Sequence, residues 1–172
     1  MCHHLWLGTP LTLSEVRAML PDGFSADAAD DAPRRRLSAL ADQTRTVVAL
    51  RLGGCACALY LEPAGASQST ESALRARYFR QGIPRATVIS ALDRHRASGK
   101  SPMPPVEARR AFAEFVAEHA RNAGTALFLR TYHPEGVLPA DGAGAIAPRS
   151  VADVRTTPCE WLPEDQPVLV GR

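Results

Sequence analysis

The sequence predicts an α+β fold: a mixed or antiparallel β-sheet with about three helices packed on one side, in a single domain spanning residues 1–172. Runs rich in β-forming residues lie at both ends of the chain, and helical patterns cluster in the middle. A chain of 172 residues is long enough for one domain with a substantial core. Neither an internal repeat nor a shift in composition divides it.

The chain begins with a predicted strand and a short helix. Residues 2–9, CHHLWLGT, are typical of a β-strand. Thr12 and Glu15 have the spacing of a capping box, which predicts a helix over residues 13–19. Residues 22–36, with four aspartates among alanines followed by PRRR, indicate a solvated loop.

Two β-rich runs flank a pair of glycines near the middle of the chain. They are RTVVALRL at residues 45–52 and CACALYLE at residues 55–62. The Gly53–Gly54 pair between them predicts a tight hairpin or a bulge that joins two strands.

Three helical stretches follow, over residues 71–80, 84–95 and 105–122. The third is the clearest, because its large side chains recur at the spacing of one helix face. These side chains are Phe112, Phe115, Val116 and His119. We expect this face to pack on the sheet, with His119 as a core histidine and not a metal ligand.

The last quarter of the chain predicts mainly strands and loop. Residues 125–132, TALFLRTY, are typical of a strand, and residues 133–150 of a long loop rich in glycine, proline and alanine. Two further strands are predicted in VADVRT, residues 151–156, and in PVLVG, residues 167–171.

Composition and charge limit the binding partners and the cellular location that the sequence predicts. The net charge of +2 is too small to indicate nucleic-acid binding by itself. The chain has no run of about 18 apolar residues and no basic start followed by an apolar segment, so we expect neither a membrane span nor a signal peptide. A cytoplasmic location follows as the expectation, and cysteines there are more often metal ligands or redox groups than disulfides.

Cysteines and histidines concentrate in two short segments, MCHHLWLGTP and LGGCACALYLE. Alternation along a strand places the first cysteine and second histidine of one segment on one face, and both cysteines of the other segment on one face. If the two strands are neighbours, three thiolates and an imidazole converge, which suits zinc and is compatible with iron. The predicted ligands are Cys2, His4, Cys55 and Cys57.

Two other interpretations of these cysteines stay open. Structural zinc sites usually separate paired ligands by two to four residues, and Cys55-x-Cys57 is tighter than that. Free cysteine is also among the most buried residue types, so both thiols could be small core side chains. A redox dithiol is the third interpretation.

The start MCHHLWLGT together with GGCAC resembles a family of small uncharacterised bacterial proteins. Members of this family open with Met-Cys, continue into a strand similar to LYIGT, and carry a Gly-Cys-x-Cys strand farther on. Cys2, Cys55 and Cys57 carry the resemblance, which covers about a third of the chain, and Ala56 and Ala58 depart from the family's glycines. The resemblance implies that the three cysteines belong together, and it implies no activity.

A second function class rests on the Arg-rich pair of helical stretches in residues 71–97. Two helices joined by about four residues including a glycine outline a helix-turn-helix, so a nucleic-acid-binding module is the alternative to a metal or thiol site. No residues are clear candidates for catalysis. Cys159, His133 and Glu135 could form a thiol-protease set, but Cys159 is better explained as a lone structural thiol.

Overall fold

The computed structural model describes residues 2–54, 56–60, 75–76, 79, 84–89, 103–133, 145–158 and 160–171. Within these ranges the chain forms one α+β domain around a six-stranded mixed sheet, which confirms the predicted fold class. No helix of the described ranges is long and apolar enough to span a membrane.

Six strands and five helices have defined bounds in the described ranges. The strands are β1 (Cys2–Thr9), β2 (Phe24–Ala28), β3 (Thr46–Leu52), β4 (Thr125–His133), β5 (Ala147–Ser150) and β6 (Val168–Gly171). The helices are α1 (Leu13–Met19), α2 (Asp31–Leu40), α3 (Cys57–Tyr60), α4 (Pro105–Ala123) and α5 (Val151–Thr156). Residues 85–89 are also helical.

The sheet has the strand order β2-β3-β1-β4-β6-β5. All neighbouring strands run antiparallel except β5 and β6, which are parallel. The first strand of the chain therefore lies inside the sheet, where Leu5 pairs with Leu50 of β3 on one side and with Arg130 of β4 on the other. Both the start of β1 and the end of β4 lie at the same end of the sheet, because the two strands run in opposite directions.

The helices α1, α3, α4 and α5 cover one face of the sheet and enclose the main core. Helix α4 contributes Phe112, Phe115 and Val116, all buried as the sequence predicts. The ring centre of Phe112 lies 6.1 Å from that of Phe128 in β4 and 6.2 Å from that of Trp161. Helix α4 thus joins the sheet to the segment that precedes β6.

The polar face of α4 agrees with the expected pattern except at one position. Arg110, Glu114 and Glu118 are exposed, as the helix periodicity predicts. Arg109 is half-buried instead, because its Nε donates a hydrogen bond to the carbonyl oxygen of Leu59 at 2.9 Å. This bond ties α4 to the short helix α3.

Residues 22–36 are not the predicted loop but contain β2 and most of α2. Strand β2 pairs with β3, and its Asp27 carboxylate bonds to Arg51 at 2.8 Å along the exposed edge, so aspartate is compatible with a strand here. Helix α2 covers the second face of the sheet, where its buried Leu37 belongs to a small cluster with Trp6 and Leu129. The helix is largely polar since it buries only one narrow stripe.

Two of the predicted strands are wrong. The run CACALYLE does not form a strand with the preceding one, because Cys57–Tyr60 is the helix α3 and β3 pairs with β1 and β2. The run VADVRT is the helix α5, started by a capping box in which Ser150 accepts from the backbone N of Asp153 at 3.2 Å. In both places the short helix buries its apolar residues against α4. Local β-propensity cannot predict this contact, because it depends on a distant segment.

Helices α1 and α4 and four predicted strands are confirmed, whereas the end of the predicted loop 133–150 is wrong, because Ala147–Ser150 forms strand β5. The predicted helical stretches 71–80 and 84–95 lie partly outside the described residues, and within them residues 75–76, 79 and 85–89 are helical. Helix α1 spans Leu13–Met19 and has the predicted capping box, in which the Thr12 backbone N donates to a Glu15 carboxylate oxygen at 2.8 Å. Helix α4 ends where Gly124 adopts a φ of 80°, a conformation that glycine adopts without strain. Strands β1, β3, β4 and β6 lie where the β-rich runs predict them.

Candidate functional site

The first residues of β1 have an unusual neighbour on the side of β3. Strand β3 pairs with β1 only from Leu5 to Thr9. At His3 the neighbour is instead the segment just before α3: the Ala56 N–H donates to the His3 carbonyl oxygen at 3.4 Å, and the His3 N–H donates to Cys57 Sγ at 3.3 Å. The thiol of Cys57 thus takes the place that a carbonyl oxygen has in a regular β-ladder.

The position of Cys57 is fixed from three directions. Its side chain is 3 % exposed, and Leu59 in the same helical turn is fully enclosed in the main core. The turn closes on itself through the Leu59 N–H, which donates to the Ala56 carbonyl oxygen at 3.1 Å. The hydrogen bond from Arg109 to Leu59 then holds the turn against α4. Since residues 3 and 57 are far apart in sequence, their contact depends on this packing.

An amide N–H directed at sulfur has a chemical consequence. A neutral thiol is a weak acceptor, whereas a hydrogen bond to an ionised acceptor is shorter and stronger. The His3 N–H therefore stabilises a thiolate at Cys57 more than a thiol. Hydrogen bonds of this kind to cysteine sulfur are among the groups that tune metal–thiolate sites.

The structure describes only part of the predicted ligand set. The backbone of Cys2 pairs with that of His133, and the ring of His4 stacks on Trp6, with centroids 5.9 Å apart and planes 10° from parallel. Cys55 lies outside the described residues. No group of three or more histidine, cysteine, aspartate or glutamate side chains within the described ranges is arranged to hold a metal ion. The four-ligand site therefore stays a prediction.

The expected position of Cys57 relative to β1 needs correction. The sequence argument places Cys57 in a neighbouring strand and on a shared face, but Cys57 begins the helix α3. The cysteine reaches the edge of β1 through a turn, next to His3 and one residue from both Cys2 and His4 in the strand. This placement brings the two cysteine-bearing segments together, although not by strand pairing.

A second group of side chains lies beside Cys57 and is not anticipated from the sequence. The rings of His3 and Tyr60 have centroids 5.1 Å apart, and the guanidinium carbon of Arg130 lies 4.4 Å from the centre of the Tyr60 ring. All three residues are half-buried. An arginine within the apolar run TALFLRTY was the available signal, because charged residues seldom enter a central strand without a partner or a function.

The other sequence candidates are described only in part. Arg75 and Arg85 of the Arg-rich stretch are exposed, and most of residues 71–97 lies outside the described ranges. Cys159 and Glu135 also lie outside them, while His133 ends β4 opposite Cys2 in the register. The nucleic-acid and thiol-protease interpretations consequently stay predictions.

His119 is a fully buried residue of the core, as expected, and forms no part of this site. Its Nε2 lies 2.8 Å from Thr9 Oγ1, and Thr9 Oγ1 also accepts the Leu11 N–H at 3.1 Å. Thr9 Oγ1 and His119 Nε2 thus share one hydrogen bond, whose donor depends on the imidazole tautomer. Burial lowers the pKa of His119 from 6.5 to about 4.

No protein-family model, curated protein sequence or solved structure matched the chain.

Proposed function

We propose that the protein is a small metal-binding domain whose site lies at the outer end of β1, with a zinc-class ion held by cysteine thiolates and a histidine. The proposed ligands are Cys2, His4, Cys55 and Cys57. This set would be closed, as in structural zinc sites, so the proposal is of a binding or regulatory domain without a catalytic metal.

One observation carries the proposal: the sulfur of Cys57 accepts the His3 N–H at 3.3 Å. The bond holds Cys57 beside the strand that carries Cys2 and His4, and it stabilises the thiolate form that binds a metal. The stacking of His4 on Trp6 restricts the imidazole ring, which lowers the entropy lost when the ring becomes a ligand.

The test is metal content. The full chain, purified without an affinity tag, is expected to contain about one zinc-class ion per molecule, and Co²⁺ in its place should give the absorption of a thiolate-to-cobalt charge transfer. Binding must weaken as the pH falls, because the ligands are bound deprotonated and protons compete for them. A strong chelator should lower the melting temperature, since an unfolded chain does not hold distant ligands together.

Matched cysteine variants separate a site from a buried thiol. Cys57→Ser and Cys57→Ala should both lose the metal and the response to the chelator, and the alanine variant keeps the position apolar. Cys159→Ser, which changes the cysteine outside the proposed set, should bind metal as the wild type does. A metal-free wild type whose melting temperature responds to neither zinc nor chelator would refute the proposal, as would equal metal loss in the Cys159→Ser control.

A further inference from the structure

Arg130 is a half-buried cation within β4, opposite Leu5 of β1, and none of the described ion pairs gives it an acidic partner. Its Nε is buried and has no hydrogen-bond partner in the described part of the chain. Its guanidinium carbon lies 4.4 Å from the centre of the Tyr60 ring, a cation–π contact that uses none of the guanidinium N–H donors. A buried N–H without an acceptor is costly, so the arrangement needs an explanation.

A second unpaired donor lies on the same side of the sheet. Trp161 packs edge-on against Phe128, the residue two positions before Arg130 in β4, with ring centroids 5.3 Å apart. Trp161 Nε1 is buried and likewise has no partner among the described residues. Alternation along β4 puts Phe128 and Arg130 on one face, so both donors without a described acceptor lie on the same side of the sheet.

The chain also positions two carboxylates near Arg130 through the backbone, but it does not pair them with the guanidinium. Glu164 forms an isolated bridge with Arg130, and the Asp165 N–H donates to the Arg130 carbonyl oxygen at 2.8 Å. Both acidic residues take part in interactions of their own. None of the described ion pairs involves Arg130.

We propose that Arg130, packed on the Tyr60 ring, binds a small oxyanion, a carboxylate or phosphate group, between strand β4 and helix α3. A planar guanidinium with a free edge matches two oxygens of such a group, and partial removal from water strengthens the interaction. Arg130, His3 and Tyr60 are each half-buried, so this group of side chains keeps contact with solvent. This inference goes beyond the metal site and does not depend on it.

The test uses the reduced full chain as purified with two probes, inorganic phosphate and acetate, at an ionic strength held constant with chloride. At least one probe is expected to raise the melting temperature in a saturable manner, as a ligand of the native state does. Calorimetric titration with the same probe gives the dissociation constant directly. The probe that binds distinguishes a phosphate from a carboxylate source.

Arginine variants assign the binding to one residue. Arg130→Met should abolish the effect, and Arg130→Lys, which keeps the charge but lacks the planar fork, should bind about tenfold more weakly or worse. If the methionine variant does not fold, Arg130→Lys still tests whether Arg130 binds the oxyanion. Arg149→Met is the matched control, because Arg149 is exposed on the edge strand β5, and it should bind as the wild type does.

The outcomes that overturn the inference are distinct from those that overturn the metal site. Absence of saturable binding of both probes to the wild type refutes it, and so does Arg130→Lys with the affinity of the wild type. Cys57→Ser should keep the oxyanion while it loses the metal. An oxyanion that binds to a protein without metal affinity therefore supports this inference and refutes only the proposed function.

Discussion

The buried histidine of α4 should make the stability of this protein depend on pH in a calculable way. His119 is fully enclosed in the core, and burial lowers its pKa from 6.5 to about 4. The folded protein therefore holds the imidazole neutral at a pH where the unfolded chain binds a proton. Lowering the pH through this window favours the unfolded state, because only that state gains the proton.

The magnitude follows from the two pKa values. Stability contributed by the neutral imidazole is fully present above the unfolded value of 6.5 and is lost as the pH falls to about 4. Between about pH 8 and pH 5 the loss is about 2 kcal/mol, and it approaches about 3 kcal/mol below the folded pKa. Carboxylates titrate in the lower part of this range, so the effect has to be measured as a difference between variants.

Urea denaturation at a series of pH values measures that difference. His119→Gln cannot titrate but keeps a group that can bond to Thr9, so the gap between wild type and variant should shrink or reverse by about 2 kcal/mol from about pH 8 to pH 5. Thr9→Val keeps the imidazole; it should lose about 1 to 2 kcal/mol at about pH 8 and retain the pH dependence of the wild type. Parallel pH profiles of wild type and His119→Gln would refute the reasoning.

Two further predictions concern the packing of the sheet. Phe115→Ala should lower the free energy of unfolding by about 3 to 5 kcal/mol in urea denaturation, because Phe115 lies on the buried face of α4 and is 2 % exposed. A loss below about half a kcal/mol would contradict its place in the core. Gly8→Ala should cost about 1 kcal/mol, since the added methyl would lie 3.1 Å from Thr44 Cγ2 in the tightly packed centre of the sheet. The Thr44→Ala background should relieve most of that cost in a double-mutant cycle, and equal costs in both backgrounds would show that Thr44 is not the obstacle.

The sequence predicts those elements whose local pattern agrees with their burial. Helix α4 has an apolar face of three large residues and a polar face, so its period identifies it without knowledge of the sheet. Helix α1 is identified by the capping box of Thr12 and Glu15, which is a local interaction. Strand β4 has an apolar run, and its two buried faces require one.

The elements that the sequence misses depend on contacts between distant segments. Strand β2 carries Asp27 because β2 lies at the edge of the sheet, where Arg17 and Arg51 approach the carboxylate. Helix α2 buries Leu37 against the second face of the sheet. The helical patterns in the middle of the sequence do not predict a helix on that face. In α5 the spacing of Ser150 and Asp153 is that of a capping box, whereas the β-branched valines of the same segment favour a strand.

The candidate site also depends in part on contacts between distant segments, which the sequence does not predict. The concentration of cysteines and histidines in two segments predicts that the segments meet, and the structure places Cys57 against His3 at the start of β1. The adjoining group could not be found in this way, because Tyr60 and Arg130 are 70 positions apart and meet only across α3 and β4. Pattern reasoning finds concentrated residue types, whereas a pair assembled by tertiary packing has no local signature.

The environment of Cys57 bears on the three interpretations of the cysteines. At 3 % exposure its sulfur is shielded from solvent, and thiols that serve as redox sensors or exchange disulfides are accessible to their reaction partners, so the redox interpretation is the weakest of the three. A thiol that only fills space needs apolar neighbours, yet the Cys57 sulfur occupies the acceptor position of a strand N–H. A neutral thiol fills that position poorly, and a thiolate bound to a metal fills it well. The hydrogen bond that a core thiol would make only weakly is therefore the reason to measure metal content first.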